Sequence, residues 1–291
     1  MAVSAVLFAT MNFLARVATA SASWTTVAAV RAAIGALVAY AAARARGRSV
    51  AAKDQRAVFW RSLFGTVSML STFYAISSKT MSLGNVVTLL NLSPVFLALL
   101  APIVLREPTR PIVALAIAVA LAGVVLVVRP SFVFGATTAA LTSPTGPSAT
   151  VTTLAACGAA LSSSIAMMML RRVGQTESPE AIAFHFSVFA AVVLTLLSLF
   201  DPKLPSLRDA VCMLLAGICA GVAQLAMTRA YALENAARVA GMSYLAVVAS
   251  ALLGAALLDE RPGPTATIGM LLVVAGGVLV TTRPREVASR A

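Results

Sequence analysis

The chain has 291 residues, of which 60% are hydrophobic and 11% are charged, and its formal net charge is +12. A soluble domain averages about 45–50% apolar and about 25% charged residues. A soluble globule could not cover so much apolar surface with so few charges. The composition therefore excludes a soluble enzyme, a disordered chain and a disulfide-stabilised secreted domain, and it predicts an all-α integral membrane protein.

Apolar runs long enough to cross a bilayer recur along the whole chain. A bilayer core of about 30 Å requires about 20 apolar residues in helical conformation. The runs predict ten transmembrane helices, which in chain order are 2–18, 24–43, 57–78, 83–104, 110–129, 151–170, 179–199, 206–228, 236–257 and 264–282.

The distribution of basic residues predicts the orientation of these spans. The segment after the second span carries six positive charges: Arg44, Arg46, Arg48, Lys53, Arg56 and Arg61. If that segment is cytoplasmic, about two thirds of all Lys and Arg residues fall on the cytoplasmic side, as the positive-inside rule requires. We therefore expect a multi-pass inner-membrane protein with both termini in the cytoplasm. The same rule accounts for the basic charge without a nucleic-acid partner.

Motifs of the first half recur in the second half at a nearly constant offset. The sequence LREP at residues 105–108 is followed by Arg-Pro at residues 129–130, and DERP at residues 259–262 is followed by Arg-Pro at residues 283–284. Each unit contains five predicted spans, and an odd number inserts the second unit upside down. The sequence thus predicts two inverted five-helix repeats, a plan that many secondary transporters share.

The boundaries of the two repeats follow from the spans and from one loop. Residues 135–150 are uncharged and rich in turn-forming residues, which is typical of a linker. The first repeat is accordingly assigned to residues 1–134 and the second to residues 151–291.

Several short motifs resemble those of the EamA-type proteins of the drug/metabolite transporter superfamily. FATMNFLAR at residues 8–16 is similar to their W-G-x-N-F-x-x-x-K opening, with Phe8 for Trp and Arg16 for Lys. Tyr74-Ala75, Gly84-Asn85, NLSPVF at residues 91–96 and REP at residues 106–108 resemble their third and fourth helices. YLAV at residues 244–247 departs from the pattern, because a proline is expected there. The resemblance covers essentially the whole chain.

This resemblance implies a ten-helix fold and the transport of small metabolites, often the export of amino acids. Among the branches of the superfamily, the resemblance leads us to expect a YddG-like amino-acid exporter. The motifs define the superfamily rather than a substrate.

The acidic residues bear on the energy source. All ten lie at or near the ends of predicted spans or in loops. Proton and sodium coupling commonly uses an intramembrane carboxylate, and a cationic drug would also be matched by one. We therefore expect the gradient of the substrate itself to drive transport, and we disfavour a carboxylate-based multidrug/proton antiporter.

Two basic residues inside predicted spans are candidate ligands for a substrate. Arg31 lies about eight residues into the second span, where its guanidinium either binds a substrate carboxylate or extends to the lipid headgroups. His185 is the only histidine and the repeat mate of Arg31. It would suit proton-linked transport if it lined a cavity, and otherwise it is a neutral, hydrogen-bonded residue near a helix end.

Polar and aromatic side chains inside apolar runs complete the candidate site. Asn12, Asn91 and Gln224 must find hydrogen-bond partners, either in a substrate or between helices. Tyr74 and Tyr244 offer a ring and a hydroxyl group to an amino-acid side chain, or serve helix packing. The predicted substrate-binding residues are Asn12, Arg31, Tyr74, Asn91, His185, Gln224 and Tyr244.

Two prolines interrupt the fourth predicted span. Pro94 and Pro102 each remove a backbone hydrogen bond and bend a helix. A bent helix acts as a gate in some transporters, and elsewhere it only adjusts packing. We predict Pro94 and Pro102 as gating residues.

The sequence predicts an inner-membrane exporter of small metabolites, with amino acids as the expected substrates. The exporter is expected to work by alternating access around a central cavity. No enzyme motif is present, and the three cysteines form no C-x-x-C pair, so no enzymatic activity, metal or cofactor is predicted. The expected partners are a small-molecule substrate and the lipid bilayer. The oligomeric state is left open.

Two alternatives remain at this level. One is a carrier of organic or phosphorylated anions or of drugs; more than one Arg or Lys facing the cavity would favour anions. The other is a non-transport membrane protein, which a sealed, dry interior would favour.

Overall fold

The computed structural model describes residues 1–78, 80–105, 111–128, 148–201, 203, 205–233, 242–260 and 262–281. Within these ranges the chain is all-helical and contains no strand, so the predicted all-α class is confirmed there. The helices are α1 (Ala2–Ala18), α2 (Trp24–Ala45), α3 (Gln55–Ser77), α4 (Leu83–Leu90), α5 (Ser93–Leu105), α6 (Pro111–Val128), α7 (Ala149–Val173), α8 (Pro179–Ser198), α9 (Leu207–Leu233), α10 (Leu245–Leu257) and α11 (Pro264–Thr281).

Several helices have the length and composition of membrane spans. Within the described ranges, four are long and apolar enough to cross a bilayer, namely Trp24–Ala45, Ala149–Leu170, Pro179–Ser198 and Leu207–Tyr231. Shorter apolar stretches occupy Ala2–Ala18, Leu83–Leu97, Ala118–Val127, Leu245–Leu257 and Pro264–Gly276. These stretches coincide with predicted spans, and the chain has the character of a multi-pass membrane protein.

Several helices start at side chains that cap the backbone. Ser82, Ser148 and Ser178 each accept a hydrogen bond from the amide three residues later. Asp54 caps α3 in the same way, accepting from the amide of Ala57 at 3.0 Å. Such caps satisfy amides that lack an intrahelical partner, so the sequence sets these boundaries locally.

The fourth predicted span is two helices. α4 ends at Leu90 and α5 begins at Ser93, so the break lies just before Pro94. Pro94 occupies the first turn of α5, where its missing N–H is not needed. The Nδ2 of Asn91 donates to the carbonyl of Val87 at 2.9 Å, in addition to the backbone amide of Asn91 at 3.0 Å. The helix continues through Pro102, so the structure shows one interruption here rather than two.

Helices of the first half pack mainly against helices of the second half. α1 lies along α9, α2 along α8, α3 along α7 and α6 along α11. α2 also packs on α9, and α3 on α8. The buried core is therefore built at the seam between the two halves.

Glycines allow two of these helix pairs to approach closely. A Cβ at Gly217 would lie 2.6 Å from the Cβ of Ile34, so α9 rests directly on α2 there. A Cβ at Gly123 would lie 2.6 Å from the carbonyl oxygen of Gly269, and the reverse contact is equally short. Small residues let helix backbones approach in a membrane, where packing replaces the hydrophobic effect between helices.

Several sequence predictions fall outside the described residues. They are the linker up to residue 147, the REP motif at residues 106–108, and the Arg-Pro pairs at residues 129–130 and 283–284.

Candidate functional site

A cavity of about 220 Å³ lies between the two halves of the molecule. Side chains from helices of both halves line it, and the polar ones are Asn12, Arg31, Arg61, Ser68, Thr72, Asn91, Ser93, Ser163, Gln224, Tyr231 and Ser243. Among the described residues, no acidic side chain lines this cavity. Its wall therefore combines amides, hydroxyls and two positive charges.

The cavity lies off-centre along the helix axes. We name the two ends of the helical bundle after Arg16, near the end of α1, and Glu180, near the start of α8. The lining begins at Met1 on the Glu180 side and includes nothing in α1 beyond Asn12. In α9 the lining residues Gln224, Met227 and Tyr231 lie in the part of the helix that carries Arg229, a partner of Glu180. In α1 and α9 the cavity therefore extends toward the Glu180 end, and the contacts of Arg16 lie beyond it at the other end.

Arg31 is a buried cation without a charged partner in the described part of the chain. It is 7% exposed, and its Nη1 donates to the sulfur of Met69 at 2.7 Å. Its Nε has no hydrogen-bond partner there. A thioether is a weak acceptor and carries no charge, so the guanidinium is held in place without being neutralised. The sequence analysis expected either a ligand or a group that extends to the headgroups, and the side chain lies in the cavity wall.

Arg61 is a second cavity cation, and the sequence analysis missed it. It was counted among the charges following the second span, whereas the structure places it in the second turn of α3 and leaves it 3% exposed. Its guanidinium stands 4.7 Å from the centre of the Phe186 ring. Its Nε and Nη1 have no hydrogen-bond partner in the described ranges. The available signal was the spacing of Arg61, Gly65 and Met69, which puts all three on one face of α3.

Three predicted amides also line the cavity. Asn12 on α1 and Gln224 on α9 are buried, and these two helices pack together. The Oδ1 of Asn12 and the Nε2 of Gln224 have no hydrogen-bond partner within the described residues. Asn91 lines the cavity at the break between α4 and α5, next to Pro94, which also lines it. One buried acceptor and one buried donor without partners therefore belong to residues of the same cavity wall.

Three other predicted site residues, Tyr74, His185 and Tyr244, lie outside the cavity lining. Tyr74 packs edge-on against Trp24 with ring centres 5.8 Å apart. The Nε2 of His185 is 2.9 Å from the carbonyl oxygen of Val50. Tyr244 is fully buried in protein. The side chain of Pro102 lies outside the described residues. The binding or gating roles of these residues stay predictions.

Arg16 joins several segments at the end of the bundle beyond the cavity. Its guanidinium forms an ion pair with the Oε1 of Glu260 at 2.6 Å. The Oε2 of Glu260 accepts the backbone amide of Leu83 at 2.6 Å. Arg16 also donates to the carbonyls of Ile76, Ser78 and Met81 at 2.9, 2.6 and 2.8 Å. These contacts, which we call the Arg16 latch, tie α1 to the start of α4 and to the segment after α10.

The opposite end carries an acidic centre surrounded by arginines. Glu180 is 0% exposed and accepts from Arg46 at 2.7 Å, from Arg229 at 2.8 Å and from Arg48 at 3.3 Å. The Oε1 of the nearby Glu177 accepts the amides of Lys53 and Asp54, both at 2.7 Å. The cluster joins the ends of α2 and α9 to the start of α8.

Together, the apolar helices and the cavity at their seam, with its few polar and cationic side chains, are those of an α-helical membrane protein. Residues 1–129 and 150–282 match the EamA-like transporter family. The chain belongs to this family, and through it to the drug/metabolite transporter superfamily.

Individual relatives agree with this assignment. Solute carrier family 35 member G1 of Mus musculus is 28% identical over 235 residues, covering 79% of this chain and 63% of the relative. The pseudopaline exporter CntI of Pseudomonas aeruginosa is 26% identical over 274 residues, covering 94% of this chain and 89% of the relative. The chain also resembles a protein of known crystal structure, with 24% sequence identity and a TM-score of 0.67. The match covers 95% of this chain and 93% of the other, and it shows the fold alone.

The comparisons confirm the family predicted from the sequence motifs, which is one of transporters rather than enzymes. The chain spans 63% and 60% of the length of its mouse and human solute carrier relatives.

Proposed function

We propose that this protein is an inner-membrane transporter that exports small metabolites, amino acids among them, by alternating access. The observation that carries the proposal is the cavity itself. It carries cationic, amide and hydroxyl side chains in a largely apolar wall, lies at the seam of the two halves and extends toward the Glu180 end, and the Arg16 ion pair lies beyond its other end. A binding site accessible from one side and sealed from the other is what one state of a carrier requires.

The proposal includes ten spans arranged as two inverted five-helix repeats. The crosswise packing of the helices supports it. Under exchange of the two halves, the pairing of α1 with α9 becomes that of α7 with α3, and both pairings occur. The two family matches, on either side of the predicted linker, support a duplication as well. Two similar units in opposite orientation provide two equivalent arrangements, one open to each side.

The two ends of the cavity supply the proposed gates. The Arg16 latch holds one end shut, while the Glu180 cluster braces the helices around the other. The positive-inside rule puts the Arg-rich Glu180 end in the cytoplasm. In this orientation the cavity loads from the cytoplasm, as export requires. The name of the relative CntI, an exporter, supports the same direction.

Binding of an amino acid follows from the cavity wall. Arg31 and Arg61 offer charged forks to a carboxylate, and the amides of Asn12 and Gln224 offer one acceptor and one donor. The volume of about 220 Å³ is below the range of about 300–1,000 Å³ that is typical of drug-sized ligands, so it suits a small metabolite. No acid in the described residues lines the cavity, which supports transport down the gradient of the substrate itself.

Uptake into proteoliposomes tests this function. A panel of radiolabelled amino acids is offered with and without an imposed pH gradient, and protein-free liposomes set the background. We expect saturable uptake that the pH gradient does not alter. The variant Arg31→Gln is expected to reduce uptake, whereas Arg56→Gln, an exposed arginine on α3, is expected to leave it unchanged.

Two results would count against the proposal. Absence of uptake for every member of the panel would contradict amino-acid transport. A strict requirement for the proton gradient would contradict the proposed driving force and would return His185 to consideration as a coupling group.

A further inference from the structure

Resting on the transport function proposed above, we infer that the cavity is a site for small organic dianions, which Arg31 and Arg61 bind together. The ligand class is a short dicarboxylate or a phosphomonoester, and a neutral amino acid is a poorer ligand. The two guanidinium groups, which lie in the same wall of the cavity, would recognise the negative charges of the ligand.

The first support is the charge of the cavity. Both guanidinium groups are buried, and the groups that hold them, the sulfur of Met69 and the ring of Phe186, carry no formal charge. A buried charge that is not compensated is costly. Three guanidinium nitrogens, the Nε of Arg31 and the Nε and Nη1 of Arg61, have no hydrogen-bond partner within the described residues. A ligand with two negative charges would neutralise these two cations of the wall.

The second support is the spacing of the two cations. The Nη1 of Arg61 lies against the position that a side chain on Gly65 would occupy, and the Nη1 of Arg31 contacts Met69. Gly65 and Met69 are one helical turn apart on the same face of α3, which corresponds to about 6 Å along the helix axis. The two arginines thus contact neighbouring turns of one helix face, where one small ligand can meet both.

The third support is discrimination against positive charge. A neutral amino acid brings an ammonium group along with its carboxylate. The lining contains two cations and, within the described residues, no acid to accept that group. Like charges at short range in a poorly solvated space repel strongly. We therefore expect the order diacid, acidic amino acid, neutral amino acid, basic amino acid.

The amides extend the site beyond its charges. Asn12 and Gln224 lie on α1 and α9, away from the helices that carry the two arginines, and both line the same cavity. Their free acceptor and donor are suited to an uncharged polar group of the ligand, such as a hydroxyl. A hydroxylated diacid would use both sets of groups.

Thermal unfolding of the purified full-length protein in detergent tests the site directly. Succinate, its monoamide succinamate and succinamide are matched in size and differ in charge. We expect succinate to bind at least about tenfold more tightly than succinamate, the factor that one charge-assisted hydrogen bond of ordinary strength provides. Succinamide is expected to give no shift. Glycerol 3-phosphate against glycerol forms the second arm and distinguishes a phosphomonoester from a dicarboxylate ligand.

Variants assign the effect to the two arginines. In Arg31→Gln and Arg61→Gln we expect the preference for succinate over succinamate to disappear, while Arg56→Gln retains it. Where a variant does not fold, the ligand series on the unaltered protein decides. Equal shifts with succinate and succinamide, or no shift with any dianion, would overturn the inference.

Proteoliposome uptake of the same compounds separates this inference from the proposed function. Binding of a dianion without uptake would leave the site standing and contradict the transport function. Uptake of neutral amino acids with no preference for dianions would leave the transport function standing and overturn the dianion site.

Discussion

Gly65 determines where the guanidinium of Arg61 lies. A Cβ at this position would collide with the Nη1 of Arg61 and come within 2.8 Å of the Phe186 ring. The absence of a side chain therefore lets the guanidinium fold back along α3, over the ring. One glycine thus positions a charge in the cavity wall without contributing any polar group.

The substitution Gly65→Ala is expected to displace Arg61 without changing the net charge. We predict about a tenfold loss of affinity for a dicarboxylate, the cost of losing one charge-assisted hydrogen bond. The measurement is the dissociation constant for succinate from thermal shift. Gly158→Ala on α7 is the matched control, because its Cβ would meet nothing within 4 Å. Equal affinities in the two variants would contradict this role of Gly65.

At the scale of helices, the Arg16 latch is the contact that has to break if the closed end opens. The ion pair is largely buried, with side-chain exposures of 5% and 21%. The carboxylate of Glu260 binds both Arg16 on α1 and the backbone amide of Leu83, the first residue of α4, so it holds the two helices together. Loss of that group leaves Arg16 with only carbonyl partners among the described residues.

The substitution Glu260→Gln is expected to open the Arg16 end. Removing one partner of a buried ion pair costs several kcal/mol at most, and about 1.4 kcal/mol already shifts a two-state equilibrium tenfold. We predict at least about a tenfold faster reaction of a cysteine at Thr72 with an impermeant maleimide applied from the Arg16 side, in a background without native cysteines.

The control for this prediction is an ion pair at the same end of the bundle. Asp201 and Lys203 are 3.5 Å apart and 52% and 58% exposed, so Asp201→Asn should leave the labelling rate unchanged. If both variants label at the rate of the parent, the latch does not control access.

At the scale of the whole molecule, the proposed inverted repeat fixes the sides on which the connections lie. Five spans in each half place the two termini on one side and the linker at residues 135–150 on the other. A parallel duplication, or an even number of spans in each half, would give a different arrangement.

Epitope tags in the full-length chain test this topology. We predict that tags at the N- and C-termini are protected in spheroplasts, whose outer membrane has been removed, and that a tag inserted in the linker is accessible from outside. Permeabilised spheroplasts, in which all three tags should react, provide the control. A linker tag on the same side as the termini would contradict the inversion.

Local properties of the chain were sufficient for the class, the family and most of the element positions. Long apolar runs identify membrane helices because the bilayer requires them whatever the tertiary contacts are. Caps such as Ser178 and Asp54 mark helix starts because their hydrogen bonds reach only three residues ahead. The break in the fourth span was predicted at its prolines, but only the break before Pro94 is present, because α5 continues through Pro102.

The tertiary structure decides which residues line the cavity. A helix that is apolar on almost every side carries no stripe to show which face turns inward, so single polar residues could not be oriented from their sequence positions. Arg31, Asn12 and Gln224 therefore line the cavity while His185 and Tyr244, equally plausible in the sequence, lie outside its lining. The sequence by itself determined an α-helical membrane protein of the EamA-like family, since composition and motifs are local. Only the packing of α2 and α3 against the second half placed Arg31 and Arg61 in one wall, because their shared surroundings come from residues far apart along the chain.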